Sequence, residues 1–179
     1  RSLALTAFGE LDVSIIDELP PGREPADTSV FLGKRGLTSA RKRLLKQVRA
    51  GLQAYVVCPL VEASETVEAS DVEQTAAQMR ALIGSDEDVA LIHGRLSQVE
   101  KDDVMTRFRA GEIRVLVATT VIEVGVDVPS ARVILVEHAE RFGLAQLHQL
   151  RGRVGLGEGK SHCLLHTGQS KGSDAHARL

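Results

Sequence analysis

From residue 28 onward the chain alternates short runs rich in Val, Ile and Leu with longer stretches in which apolar residues recur every three or four positions. The runs 29–32, 55–61, 89–93, 113–118, 132–137 and 161–166 predict strands. The stretches 39–52, 71–83, 97–110 and 144–150 predict helices; in the first, Leu44, Leu45, Val48 and Leu52 fall at helical spacing. Ser97 followed by Glu100 three residues later reads as a capping box, and Gly111 closes the same helix. A strand that is apolar at consecutive positions is buried on both faces, and strands alternating with helices build βαβ units. The pattern therefore predicts an α/β fold, a mainly parallel sheet flanked by helices.

The first 27 residues follow another grammar. A mildly helical 4–8 and a short apolar 13–16 give way to Pro20-Pro21-Gly22 and Pro25, residues that break regular structure. The expected organisation is the end of a preceding domain and a hinge over 1–27, an α/β lobe over 28–168, and a tail over 169–179. A chain opening on Arg1 rather than Met is expected to be a piece of a longer protein.

Composition narrows the class. Apolar residues make up 43% of the 179 positions and aromatics 3%, so the core must be built from Val, Ile, Leu and Ala. A net charge of −2 excludes a uniformly basic surface, and any nucleic-acid contact must be local. Cys58 and Cys163 lie in apolar runs with neither zinc-ligand nor disulfide-framework spacing, and are expected as buried thiols. No apolar run approaches the length of a membrane span. Charge comes in blocks: residues 28–61 hold seven Lys or Arg and no acid, and residues 62–88 hold eight acids against Arg80 alone. The basic block reads either as a solvated helix face or as a surface for DNA phosphate or a neighbouring lobe.

The chemistry concentrates between residues 113 and 157. Ile113-Arg114-Val115-Leu116-Val117-Ala118 runs into Thr119-Thr120, placing two hydroxyls at the C-terminal end of a strand, where open α/β sheets bind ligands. Gly125 and Asp127 follow: a glycine lets the backbone approach a ligand, and an acid can accept from a ribose hydroxyl or hold a basic partner. In Gln149-Leu150-Arg151-Gly152-Arg153 two arginines flank a glycine, suited to forked contact with phosphate oxygens.

In this order and spacing the segments resemble superfamily 2 helicases. Thr119-Thr120 through Asp127 resembles motif V. Gln149 through Arg153 resembles motif VI, whose general form is Gln-x-x-Gly-Arg-x-x-Arg. His93-Gly94-Arg95 resembles the segment between motifs IV and V, and Cys58-Pro59-Leu60 fits the motif IV strand. The runs 12–23 and 142–153 resemble the RecG branched-DNA helicases, the second run being shared with transcription-repair coupling factors. The resemblance implies a RecA-like C-terminal lobe that closes on a first motor lobe around ATP and Mg²⁺, held mainly by that first lobe. It further implies branched double-stranded DNA as substrate, a separate wedge domain, a monomer, no membrane, and a bacterial cytoplasmic, nucleoid-associated location. By motif position Arg153 and Gln149 would be catalytic, and Gly125, Asp127 and Arg153 would bind nucleotide. Thr119, Thr120, His93 and Arg95 would face DNA. The piece alone, lacking a P-loop, is expected to be inactive. The alternatives are the motor lobe of a coupling factor, or a nucleic-acid-binding module with a decayed ATP site.

One position departs from the pattern: Leu156 stands where the last arginine of motif VI would fall. Other signals are rejected. Gly157-Glu158-Gly159-Lys160-Ser161 mimics a P-loop ending, yet it lacks the upstream glycine and leads into a strand. Asp17-Glu18 precedes a hinge and has no partner P-loop. His162 and His166 share one strand face without an evident third ligand, so no metal site is expected.

Overall fold

The structure, a computed structural model, describes residues 25–59, 65–119, 128–155 and 159–169, with only the backbone described over 65–70. In chain order the elements are β1 (Asp27–Leu32), α1 (Gly33–Arg49), β2 (Gln53–Val57), α2 (Glu65–Ile83), β3 (Val89–Ile92), α3 (Gln98–Arg109), β4 (Val115–Ala118), β5 (Ala131–Val136), α4 (Leu144–Arg151) and β6 (His162–Thr167). A single 3-10 turn, Ala139–Arg141, separates β5 from α4. Among the described residues six strands form one sheet in the order β1-β6-β5-β2-β4-β3, and every pairing is parallel.

The continuous apolar runs explain why both faces are covered. On one face Ala54, Val56, Val117, Leu135 and Leu164 meet Ala40, Leu44 and Val48 of α1 and Val72, Ala76 and Met79 of α2. On the other, Tyr55, Leu116, Ile134 and Cys163 meet Phe108 of α3 and Leu147 and Leu150 of α4. Tyr55 and Phe108, two of the few aromatics, stack at a tilt with ring centroids 5.2 Å apart. Each Val, Leu, Ile, Phe or Met side chain fully taken from water contributes about 1.5–3 kcal/mol.

Several boundaries differ from the sequence expectation: α2 starts at Glu65 rather than 71, β2 ends at Val57 rather than 61, and β4 starts at Val115 rather than 113. Two further starts have a clear structural cause. α1 starts at Gly33, six positions before the expected 39, because its first turn (Lys34, Arg35, Gly36) is polar and carries no periodic signal. A Cβ at Gly36 would lie 2.8 Å from the Phe31 carbonyl carbon, so glycine is what lets the turn close on β1. β2 begins at Gln53, two residues before the expected strand. This buried polar residue donates its amide to the Ile113 carbonyl at 2.6 Å and to the Phe108 carbonyl, and accepts from the Ser130 hydroxyl. A glutamine is unexpected as the start of a buried strand, but here every polar atom of its amide group is engaged. The capping box of α3 is present as expected: Glu100 N–H donates to Ser97 Oγ, and Ser97 N–H to Glu100 Oε2 at 2.8 Å.

Candidate functional site at the C-terminal edge of the sheet

Because all strands run one way, their C-terminal ends open on a single edge. Val57 pairs with both Val136 and Ala118, and Ala118 pairs with Ile92, so β5, β2, β4 and β3 finish level. The next residue of each forms a row: Glu137, Cys58, Thr119 and His93. Backbone bonds hold it, from Glu137 N–H to Val57 O (2.9 Å), Cys58 N–H to Ala118 O (2.9 Å) and Thr119 N–H to Ile92 O (3.4 Å).

Two expected site residues thus stand side by side. Thr119 is fully buried and His93 nearly so, and Thr119 Oγ1 and His93 Nδ1 have no hydrogen-bond partner among the described residues. Arg95 lies two residues beyond His93 and is exposed, in a turn closed by Leu96 N–H bonding His93 O at 3.3 Å. Gln149 is exposed on α4, whose opposite side buries Leu147 and Leu150. Arg153 follows the end of α4, half-buried, with its N–H on Leu150 O at 3.1 Å. Thr120, Gly125, Asp127 and Leu156 fall outside the described residues.

The edge also gathers groups that sequence reasoning did not single out. Arg41, on α1, forks onto Glu137, Nε to Oε1 at 2.9 Å and Nη2 to Oε2 at 3.1 Å, and reaches Gln78 of α2 with Nη1 at 2.6 Å. Arg41 sits four residues before buried Leu45, hence on the buried face of α1, and that spacing was the available signal. His138 adopts a left-handed backbone, φ 53°, and its ring meets His166 edge-on at 5.3 Å. His166 and His162 share a strand face as expected but in separate settings, since His162 lies 3.5 Å from Asp27.

Glu140 joins the turn before α4 to the end of β6. Its Oε1 accepts from Gly168 N–H at 3.3 Å and lies 3.3 Å from His138 Nδ1. Burial works against its charge, yet hydrogen bonds from its own amide, the Thr167 hydroxyl, His138 and Gly168 outweigh burial and hold its pKa below the usual carboxylate range. Both cysteines are free and buried, as expected. Burial pushes the Cys58 thiol up to about 12, against a hydrogen bond with Thr75, and the Cys163 thiol up to about 11, so neither is a ready nucleophile.

The basic block divides. Arg41 is spent on Glu137; Arg43 bonds Asp27 at 2.6 Å and Ser29 at 2.9 Å; Lys42, Lys46 and Arg49 are exposed.

With this geometry in place, the comparisons with known proteins are consistent. The helicase conserved C-terminal domain profile matches residues 38–156. The chain is 51% identical over 165 residues to an ATP-dependent DNA helicase RecG of Acidithiobacillus ferridurans, covering 92% of this chain and 24% of that protein. It is 47% identical over 179 residues to the RecG of Synechocystis, covering 100% of this chain and 21% of that protein. The chain therefore spans about a quarter of the length of the curated relatives it matches. Among solved structures it is similar to RecG bound to a three-way DNA junction, with a TM-score of 0.77, 42% identity, and 99% of this chain covered against 23% of that one. A Mycobacterium smegmatis helicase Lhr, at 20% identity, TM-score 0.62 and coverage of 84% of this chain and 20% of that one, shares the fold.

Proposed function

The chain belongs to the helicase conserved C-terminal domain family and matches RecG helicases along its length, and from that footing we propose that it is the second motor lobe of an ATP-dependent helicase that remodels branched DNA. The observation carrying this reading is the 42% identity over 99% of the chain to a RecG seen on a three-way junction. Identities of 47–51% with RecG sequences favour it over a coupling-factor lobe.

In this reading the C-terminal edge of the sheet faces a first motor lobe, and residues 1–27 and 169–179 join this lobe to the rest of the protein. ATP with Mg²⁺ supplies the free energy of phosphoanhydride hydrolysis. The first lobe supplies most of the nucleotide's contacts; Arg153 and Gln149 contribute donors from the end of α4, with Gly125 and Asp127 beside them. The buried Thr119 hydroxyl and His93 Nδ1, without partners among the described residues, fit a site that a phosphate-bearing ligand completes. With Thr120 and Arg95 they are assigned to the DNA backbone. The other parts of the proposal are a monomer, the wedge domain as neighbour, and the bacterial cytoplasm at the nucleoid.

A second reading rests on Leu156. A leucine cannot donate to a γ-phosphate oxygen, and an arginine at such a position contributes about 10³–10⁵ in rate. A module that binds nucleic acid with a decayed ATP site is the result if nothing replaces it. The test is ATP hydrolysis by the full-length protein with and without forked DNA, comparing Leu156 with Leu156→Arg. Fork-stimulated turnover with Leu156 in place is the expected result. Turnover only in Leu156→Arg overturns the motor reading in favour of the binding module.

A further inference from the structure

The opposite edge of the sheet, where the strands begin, carries a second concentration of charge. A cavity of about 690 Å³ opens there, bounded by Arg49 at the end of α1, Arg109 at the end of α3 and Arg114 just before β4. All three are exposed. The remaining lining is Ala50, Ala110, Ser130, two glycines and the fully engaged Gln53.

Each arginine has a local reason to be present. Arg49 and Arg109 stand in the last turns of their helices, where a cation offsets the partial negative charge of the helix end. Arg114 pairs with Asp88 at 3.2 Å. Local reasons do not account for the convergence: three arginines, two from helix ends and one from the approach to β4, line one cavity, with one carboxylate bonded to one of them. Such a site favours an anion that accepts forked hydrogen bonds, a phosphate or a carboxylate.

The lining separates these two. An acidic peptide docks through apolar or aromatic anchors as well as charge, and nothing apolar larger than alanine lines the cavity. A phosphodiester backbone requires only cations and donors in an open trough. We propose that the Arg49–Arg109–Arg114 cavity binds the sugar-phosphate backbone of a DNA arm, on the side of the lobe opposite the edge that carries Thr119 and His93. The inference rests on the DNA-remodelling reading and adds to it a second contact surface. It also divides part of the basic block: Arg41 and Arg43 hold the fold, and Arg49 is assigned to DNA.

The experiment measures affinity of the full-length protein for forked DNA against salt concentration, for wild type, Arg49→Gln/Arg109→Gln and Arg49→Lys/Arg109→Lys. Arg114 is left intact to keep its bond to Asp88. The glutamine variant is expected to bind more weakly. Its log K against log salt slope should be shallower by about 2, at roughly 0.9 per lost phosphate contact. The lysine variant should recover most of the slope, which a misfolded protein would not. Shortening the fork arms should erase the difference between wild type and the glutamine variant. Unchanged affinity and slope in the glutamine variant overturn the inference, as does a deficit that persists undiminished on short arms. A poly-glutamate probe that loses binding while the DNA slope holds overturns it too, reassigning the cavity to an acidic protein. Fork-stimulated ATP hydrolysis by wild type is measured in parallel. Its absence sinks the functional reading itself, whereas its presence beside an unchanged slope sinks this inference alone.

Discussion

Arg41 and Glu137 lie 96 positions apart in sequence and form a two-pronged ion pair over the C-terminal edge of the sheet, their side chains only 14% and 7% exposed. The pair fastens α1 to the point where the chain leaves β5 toward α4. Removing one partner of a buried pair strands the other charge, at a cost of about 3–5 kcal/mol. Arg41→Met is expected to lose stability on that scale in urea unfolding of the chain. The double change Arg41→Met/Glu137→Leu should recover most of it. A double variant as unstable as the single one would show that the pair's worth lies in attraction rather than in mutual neutralisation.

At the other end of the same sheet, Gln53 holds two buried carbonyls with one amide. Gln53→Leu keeps the volume and abandons Phe108 O and Ile113 O, and an abandoned buried acceptor costs about 1–3 kcal/mol. Thermal unfolding should register a loss of that order. An unchanged transition would mean that the strand start relaxes to find other donors.

Gly159 has φ +91° and lies under the Arg132 guanidinium, which donates to the Lys160 carbonyl at 3.0 and 3.2 Å. A side chain there is strained in its backbone and displaces the arginine. Gly159→Ala should cost about 1–3 kcal/mol. Gly94→Ala, where a Cβ meets open space and φ is not positive, is the control and should be close to neutral.

Burial and then the neighbouring His138 push the His166 imidazole below its ordinary pKa, against Glu137, the Gly33 backbone and Glu140. A folded-state pKa below the unfolded one disfavours protonation of the native state. The stability this neutral ring preserves is therefore complete above the ordinary value of about 6.5, and declines as pH falls beneath it. Unfolding free energy measured from pH 8 to pH 5 should fall, and His166→Gln should flatten that slope. An equal slope in the variant would assign the acid sensitivity to other groups.

Thr119 offers a test in which stability and binding part. Its hydroxyl is buried without a partner among the described residues, so Thr119→Val should leave unfolding unchanged or slightly improved. The same change in the full-length protein should weaken forked-DNA binding several-fold. Equal binding by the variant would remove the hydroxyl from the DNA contact.

Legibility followed the physics of each segment. Short apolar runs identified the six strands of the parallel sheet among the described residues; in β2, β4 and β5 burial on both faces leaves no polar alternation to confuse the reading, whereas β1 was legible from Val30, Phe31 and Leu32 alone. The capping box at Ser97 is local and was read directly. The start of α1 was missed because its first turn is polar and rests on glycine's lack of a side chain, and Gln53 because three distant partners satisfy it. In the site, Thr119 and His93 were legible as strand ends, but their adjacency depends on strand order, which composition does not encode. Arg41, Glu137 and Glu140 act through partners far along the chain or through a turn, and a list of motifs passes over them.

The sheet order has a consequence for synthesis. Among the described residues β1 is an edge strand paired with β6, with Asp27 opposite His162 and Leu32 opposite Thr167. As the polypeptide emerges from the ribosome, the strand that opens the lobe lacks its partner among the described residues until the strand that closes the lobe has been made. Throughout that interval Val30 and Phe31 belong to no sheet, and their backbone groups are open to any passing strand. Completion of the lobe is thus a late, single event in its birth. A ribosome stalled before residue 162 would hold a nascent chain whose first strand is a target for chaperones or for misassembly.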